Sequence, residues 1–515
     1  MAGFDLDEEL VEDRILNFKV MMKQLNLCCF LTSLALLTPG LLLEGSELKG
    51  SRPNIILVMT DDQGKGDLSC LGNKILKTPH LDRLHALSTR FRDFHVSPTC
   101  APTRSAIMTG RHEFKNGVTH TILERERMTL KATTLAESLR DAGYATGIFG
   151  KWHLGDEEPY QPHNRGFTET FIHGAGGIGQ SYPCSCGDAP PNQKNRYFDN
   201  TIRHNGKFVQ TKGFCTDVFF DAALGWIKSK NNSDQPFFVY ITPNAPHGPM
   251  IAPDQYKNRF LNLGFDEKSS GRMGMIENID DNMGRLTSKL KEWDLEETTL
   301  LIFMTDNGQA GRTGKKNGKT VSLDSSGFKT GKGSPYEGGT RVPSFWRWKG
   351  VLPEGKDMDA LTAHIDLFPT FAALANSALP EDNQIRGRSL LPLLKNPDTS
   401  WEDRFLFVHQ GRWKKGTDPD KSKYKSCAVR TERFRLVNNR ELYDINADPF
   451  EQHNVIINHP EVVAKMRKAY DTWWTETLPL MVNEKTPNSP TRPFDLLYEN
   501  QLRETGIPLW NKSGL

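Results

Sequence analysis

Several apolar runs in this 515-residue chain end in, or shortly precede, side chains able to do chemistry. Asn54–Thr60 (NIILVMT) runs into Asp61-Asp62, and residues 145–150 run into Lys151-Trp152-His153. Residues 236–242 are followed by Pro246-His247-Gly248, and residues 298–305 run into Asp306-Asn307-Gly308. Continuous apolar runs of this length are expected for strands buried on both faces. Ligands of open α/β sheets bind at the carboxyl ends of strands, so these four runs would deliver their polar residues to one edge. Asp61, Asp62, Asp306 and Asn307 offer only oxygen ligands. That set suits a hard cation, Ca²⁺ or Mg²⁺, rather than zinc. Its carboxylates would repel one another without a cation. Taken singly, each pair reads equally well as a turn or a helix N-cap.

A second constellation is Cys100-Ala-Pro-Thr-Arg104, continuing Ser105-Ala-Ile-Met-Thr-Gly-Arg111. Proline just inside a helix start is favourable, which puts Cys100 near a helix N-terminus, where anionic groups are stabilised. A plain buried cysteine is the alternative. The run His173-Gly-Ala-Gly-Gly-Ile-Gly179 looks like a phosphate-cradling loop, but no helix pattern follows it. It reads as part of a substrate-side insertion spanning residues 171–215, since long irregular segments often build pockets.

The elements that must position these residues alternate in type. Thr134-Leu-Ala-Glu137 is a capping box that opens a helix stopping near Gly143. Residues 216–230 carry Phe219, Ala223, Leu224 and Ile227 on one stripe, and Ile276, Ile279, Met283, Leu286 and Leu290 mark another amphipathic helix. The alternation predicts an α/β fold with a large, mostly parallel sheet flanked by helices. Beyond about residue 400, short strands at 428–432, 434–438 and 441–443 and a helix at 461–476 predict a smaller α+β lobe with a short antiparallel sheet. Residues 313–332, rich in Lys and Gly, read as a loop. The expected organisation is a leader at 1–49, a catalytic domain at 50–395 and a C-terminal subdomain at 396–515.

A hydrophobic share of 37% with 25% charged residues excludes collagen, a disordered tail and a polytopic membrane protein. Formal charge is +2 and no basic stripe is present, which argues against a nucleic-acid partner. The leader holds an acidic start and then a 17-residue apolar stretch from Leu27 to Leu43. That is short for a membrane span and fits the apolar region of a secretory signal, with an internal anchor helix as the alternative. Translation from Met21 or Met22 would remove the acidic start. The expectation is a secreted or periplasmic protein with no stable membrane span after signal removal. Eight Cys do not make a disulfide scaffold in a chain this long, and no Cys-x-x-Cys spacing occurs. Asn231-Asn-Ser233 fits a glycosylation acceptor, relevant only in a eukaryotic secretory host.

The motifs RPNIILVMTDDQG, TPHLDRL, CAPTRSAIMTGR, GYATGIFGKWHLG, TDNG, GKGSPYEGGTRVP, HIDLFPT and ELYDINADPFEQHNV stand in this order along the chain. With them the sequence resembles the type I, formylglycine-dependent sulfatases of the alkaline-phosphatase superfamily, arylsulfatase-like enzymes. Thr103 stands where the family more often has Ser. The resemblance implies a sulfuric-ester hydrolase acting on a sulfated carbohydrate. It implies that a maturase converts Cys100 to formylglycine (3-oxoalanine), whose hydrate attacks sulfur and then expels sulfate as the aldehyde re-forms. Arg104 should hold the formylglycine, and Lys151 and Lys332 should contact sulfate oxygens. His153 should act as base on the hydrate, and His247 should protonate the leaving oxygen while touching sulfate. Asp61, Asp62, Asp306 and Asn307, with the modified Cys100, should hold Ca²⁺. Lys329 and Lys332 both precede Tyr336-Glu-Gly-Gly; the family spacing selects Lys332, and Lys329 then reads as a solvated loop lysine. Two other classes remain open at this point. A phosphate or phosphonate monoester hydrolase of the same fold is disfavoured by Cys-x-Pro-x-Arg and the single acidic cluster. A non-catalytic sulfated-glycan binding protein would have lost Cys100 or a ligand, and none is missing.

Overall fold

The computed structural model describes residues 48–191, 196–231, 233–381 and 384–511. The leader, with its apolar stretch and its alternative starts, lies outside the described residues. Residues from Leu48 onward form one compact unit.

Its frame is a ten-stranded sheet. In spatial order the strands are Asp357–Met358, Thr89–Phe91, Ser344–Arg347, Thr299–Thr305, Asn54–Thr60, Phe237–Thr242, Ala145–Lys151, Glu169–His173, Thr201–His204 and Lys207–Gln210. The five central strands, from Thr299–Thr305 to Glu169–His173, are parallel, and antiparallel pairings flank them on each side. The expected mostly parallel sheet is present.

Alternation along each strand divides the core. Ile56, Val58, Val239, Ile241, Leu301 and Phe303 face the helices Cys215–Lys230 and Glu267–Glu292 through Phe219, Ala223, Ile227, Ile279 and Met283. Ile55, Leu57, Met59, Phe238, Leu300 and Ile302 face Leu135, Leu139, Phe368 and Phe371 on the helices Leu135–Asp141 and Leu367–Ala375. With both faces covered, these strands have no room for polar residues until they end. The Thr134 capping box forms in full, Thr134 Oγ1 accepting from the Glu137 N–H at 3.0 Å and the Glu137 carboxylate from the Thr134 N–H at 2.6 Å.

Two stretches read as irregular are partly strands. Within 313–332, Thr313–Lys316 pairs with Lys319–Ser322 in a hairpin, turned at Asn317-Gly318 with φ of 49° and 77°. Within 171–215, Thr201–His204 and Lys207–Gln210 form a second hairpin at the edge of the large sheet, turned at Asn205-Gly206 with φ of 46° and 83°. Asn-Gly suits a two-residue hairpin loop because both residues tolerate φ > 0.

The small lobe is a four-stranded antiparallel sheet, Leu406–His409, Cys427–Arg430, Phe434–Val437 and Glu441–Asp444. The helix Pro460–Thr477 covers it with Tyr470, Trp473 and Trp474. The chain then returns to the outer edge of the large sheet. Helix Pro493–Glu504 sets Phe494 and Tyr498 edge-on to Phe208, and the Trp510 N–H donates to the Gln210 carbonyl at 2.8 Å. No helix among the described residues is long and apolar enough to cross a membrane.

Candidate active site

Strand register brings the acidic residues together. Asn54–Thr60 and Thr299–Thr305 run parallel with Thr60 opposite Thr305, so Asp61 and Asp306 leave the sheet side by side. The Asp306 N–H donates to the Thr60 carbonyl at 3.1 Å, and the Asp61 N–H to the Ala245 carbonyl at 3.2 Å. Asp62 turns into left-handed backbone, φ 68°, and its N–H donates to Asp306 Oδ1 at 3.1 Å. Asn307 Nδ2 donates to Asp62 Oδ1 at 3.0 Å. Asp61 Oδ1 and Asn307 Oδ1 are left buried without a hydrogen-bond partner. Asp61, Cys100 and Asp306 each present a ligand atom within 4.8 Å of the others. Buried polar atoms are normally paired. Two orphaned oxygens beside converging carboxylates are what a hard cation would satisfy, so these residues fit one.

Cys100 opens the helix Cys100–Thr109, as the proline two residues on predicts, and is buried. Three cations surround it and the carboxylates. Lys151 Nζ donates to Asp61 Oδ2 at 2.6 Å, Arg104 Nη2 to Asp306 Oδ2 at 2.9 Å, and Lys332 Nζ to Asp62 Oδ1. Arg104 also donates to the Lys151 carbonyl at 2.9 Å, tying the Cys100 helix to the strand Ala145–Lys151. Mutual repulsion among the acids is therefore offset pair by pair. Burial, with Lys151 opposing it, still pushes the Asp61 carboxyl up to about 6. Burial and the neighbouring Asp61 charge push Asp306 up to about 6. For Asp62 burial is outweighed by Lys332 and His247, which hold it well below the usual carboxylate range. For Cys100 burial is likewise outweighed, by Lys151 and Lys332, and the thiol is lowered. A thiolate or any other anion is thus favoured at the head of this helix.

The two histidines are set in opposite tautomers by backbone carbonyls. His247 Nδ1 donates to the Gly248 carbonyl at 2.8 Å, leaving Nε2 to accept from Gln180 Nε2 at 3.1 Å, with Asp62 Oδ2 3.9 Å away. His153 Nε2 donates to the Thr121 carbonyl at 2.9 Å, leaving Nδ1 buried and unpartnered. Burial lowers both, His153 strongly, so both rest neutral near pH 7. His153 itself sits at φ 62°, backbone strain of the kind that collects at functional sites.

The family model for sulfatases matches residues 53–377, and that for the C-terminal part of N-sulphoglucosamine sulphohydrolase matches residues 331–473. This chain belongs to the sulfatase family. It is 31% identical over 393 residues to the dog N-acetylgalactosamine-6-sulfatase, covering 70% of this chain and 69% of that one. It is 29% identical over 490 residues to the N-acetylgalactosamine-6-O-sulfatase of Bacteroides thetaiotaomicron, covering 82% and 93%. Among solved structures, Ps i-CgsB superposes with a TM-score of 0.71 at 28% identity, over 90% of this chain and 99% of that one, and it has also been solved with k-i-k-neocarrahexaose. A sulfatase is a sulfuric-ester hydrolase.

All ten site residues singled out from sequence lie in this one cluster or its hydrogen-bonded surroundings. Lys332, not Lys329, reaches the acids. Lys329 is an exposed loop lysine, as expected, whose Nζ also donates to the Tyr443 hydroxyl at 2.8 Å and lies over the Tyr336 and Tyr443 rings, pinning the loop to the small lobe. Sequence reasoning missed Gln180, Thr121, and the pair Glu126 and Tyr182, where Glu126 lies 3.7 Å from His153 Nε2 and accepts from the Tyr182 hydroxyl. The glycine run held the available signal. A Cβ on Gly176 would stand 2.2 Å from Gln180 Oε1 and 2.9 Å from His153 Cε1, and one on Gly177 1.8 Å from Asn244 Oδ1. Gly176 is bare where the run lies against Gln180 and His153, and Gly177 where it lies against Asn244.

Proposed function

We propose that this sulfatase hydrolyses sulfate esters of carbohydrates, with Cys100 converted to formylglycine by a maturase and Ca²⁺ held by Asp61, Asp62, Asp306 and Asn307. The observation that carries the reading is the pair of orphaned buried oxygens, Asp61 Oδ1 and Asn307 Oδ1, beside Cys100 at a helix start. A formylglycine hydrate and a bound divalent cation supply a hydroxyl nucleophile and positive charge against the sulfate oxygens. The chain's own residues do the rest. Lys151 and Lys332, now folded onto Asp61 and Asp62, are placed to turn to sulfate oxygens once a cation takes up the carboxylates. Arg104 fixes the helix that bears the nucleophile. His247 presents Nε2 toward the leaving oxygen and would have to take up a proton there before passing one on, and His153 keeps Nδ1 free to take a proton from the hydrate. A carbohydrate ester is supported by the relatives named for N-acetylgalactosamine 6-sulfate and by the neighbour solved with a neocarrahexaose.

The test is a panel of defined sulfated mono- and oligosaccharides, with phosphate and phosphonate monoesters alongside, using enzyme whose Cys100 has been checked by mass for loss of about 18 Da. Release of inorganic sulfate from a sugar, abolished in Cys100→Ala, is expected. Turnover of phosphonate or phosphate esters alone would overturn it, as would full activity in Cys100→Ala.

A further inference from the structure

A cavity of about 610 Å³ lies between the small lobe and the large sheet's domain, and none of the active-site residues lines it. Its floor is built by buried Val96, Ser97, His364 and Val408, and its wall includes Ala469 and Trp473 of the helix Pro460–Thr477. At its mouth stand Arg386, Lys465 and Lys468, all exposed.

The charges facing this space are unbalanced. Glu476 is the only carboxylate among the described lining residues, and it is already paired with Lys115 at 3.1 Å. Arg404 is committed to Asp366, and Arg388 lies over the Trp401 ring. Among the described residues no carboxylate pairs with Arg386, Lys465 or Lys468; Lys465 merely overlies the Phe405 ring at 5.7 Å. The chamber joins an apolar floor and wall to three unmatched cations at its mouth. Its volume falls in the range of small-molecule sites.

We propose that this cavity is a second, non-catalytic binding site for a small amphipathic anion. An apolar or aromatic body sits against Val96, Val408 and Trp473, and a single sulfate, sulfonate or carboxylate head meets Arg386, Lys465 and Lys468. The site backs onto the nucleophile's support, because the Ser97 carbonyl on its floor accepts from Thr103 Oγ1, on the Cys100 helix, at 3.1 Å.

Anilinonaphthalene sulfonate and its neutral counterpart N-phenylnaphthylamine make a matched pair of fluorescent probes, and the sulfonate carries no ester to hydrolyse. Full-length enzyme is titrated with each, alongside two variants whose fold is checked by circular dichroism. The first reverses the mouth (Arg386→Glu, Lys465→Glu, Lys468→Glu, all exposed). The second, Ala469→Trp, fills the half-buried wall. We expect saturable one-to-one binding of the sulfonate, about tenfold tighter than the neutral probe. Mouth reversal should remove that advantage and leave the neutral probe unchanged, while Ala469→Trp should weaken both. Sulfonate binding indifferent to both variants places the probe elsewhere, the catalytic centre included, and overturns the proposal. So do equal affinities for the two probes, or no saturable binding.

Discussion

Replacing His247 with alanine should cost the enzyme far more on a sugar sulfate than on an activated aryl sulfate. The Gly248 carbonyl accepts from Nδ1–H, so Nε2 faces Gln180 and Asp62 across the site and is the nitrogen that must take up a proton before it can act as an acid. A sugar alkoxide is a poor leaving group and needs a proton as the S–O bond breaks, whereas a nitrophenolate departs without one. General-acid help is worth about 10²–10⁴-fold, which corresponds to about 3–5 kcal/mol of barrier. kcat/KM for a sugar sulfate should fall by that factor in His247→Ala, and for nitrophenyl sulfate by about tenfold or less. Both are measured by sulfate release on one preparation with its Cys100 modification quantified. His153→Ala should slow both substrates alike, because the sulfated intermediate is the same after either alcohol has left. Equal losses on the two substrates in His247→Ala would refute leaving-group protonation and leave His247 as a positioning residue for sulfate.

Exhaustive chelation should abolish turnover, restored by Ca²⁺, while lowering the melting temperature by only a few degrees, since each carboxylate keeps a cationic partner; full activity with no divalent ion by elemental analysis counts against the metal site. Glu113 is fully buried, and burial raises its carboxyl to about 7, against its own N–H and Ser97. Between pH 4.5 and 7 the folded state then holds a proton that the unfolded state has lost, so stability falls as pH rises. Glu113→Gln should match wild type below pH 4.5 and gain about 3 kcal/mol by pH 8; thermal scans across that range showing a constant difference would reject it. Gly176→Ala should cut kcat/KM by about tenfold with little change in melting temperature, because the added Cβ meets Gln180 and His153 rather than the core; unchanged kinetics would show that the loop gives way.

The central strands were legible because burial on both faces leaves an unbroken apolar run, and Asn54–Thr60 is found with the bounds its residues suggest. The acidic pair at its end, and Cys100 at a helix start, were legible for the same reason: each follows directly from the element that presents it. The two hairpins were not, since their strands are exposed or short and carry no apolar alternation. Asn317-Gly318 and Asn205-Gly206 were the signals to weigh, and Lys- and Gly-rich composition masked the first. Thr121 and Glu126 could not be read at all, because their roles depend on contacts with His153 that only the folded chain creates, and Gln180 was signalled only by the glycine run beside it.

The two histidines show why residue type alone stops short of mechanism. Two identical side chains flank one nucleophile, and sequence assigns them different duties only through a resemblance. In the fold the difference is local and physical. One ring is held through Nδ1 by the carbonyl that follows it in the chain, the other through Nε2 by a carbonyl from a distant loop. His247 is 17% exposed at its side chain and His153 fully enclosed. On the proposed reading, the partly exposed ring would meet a leaving group that comes and goes with solvent, and the enclosed ring would keep its bare nitrogen for a proton that it must release before the next turnover.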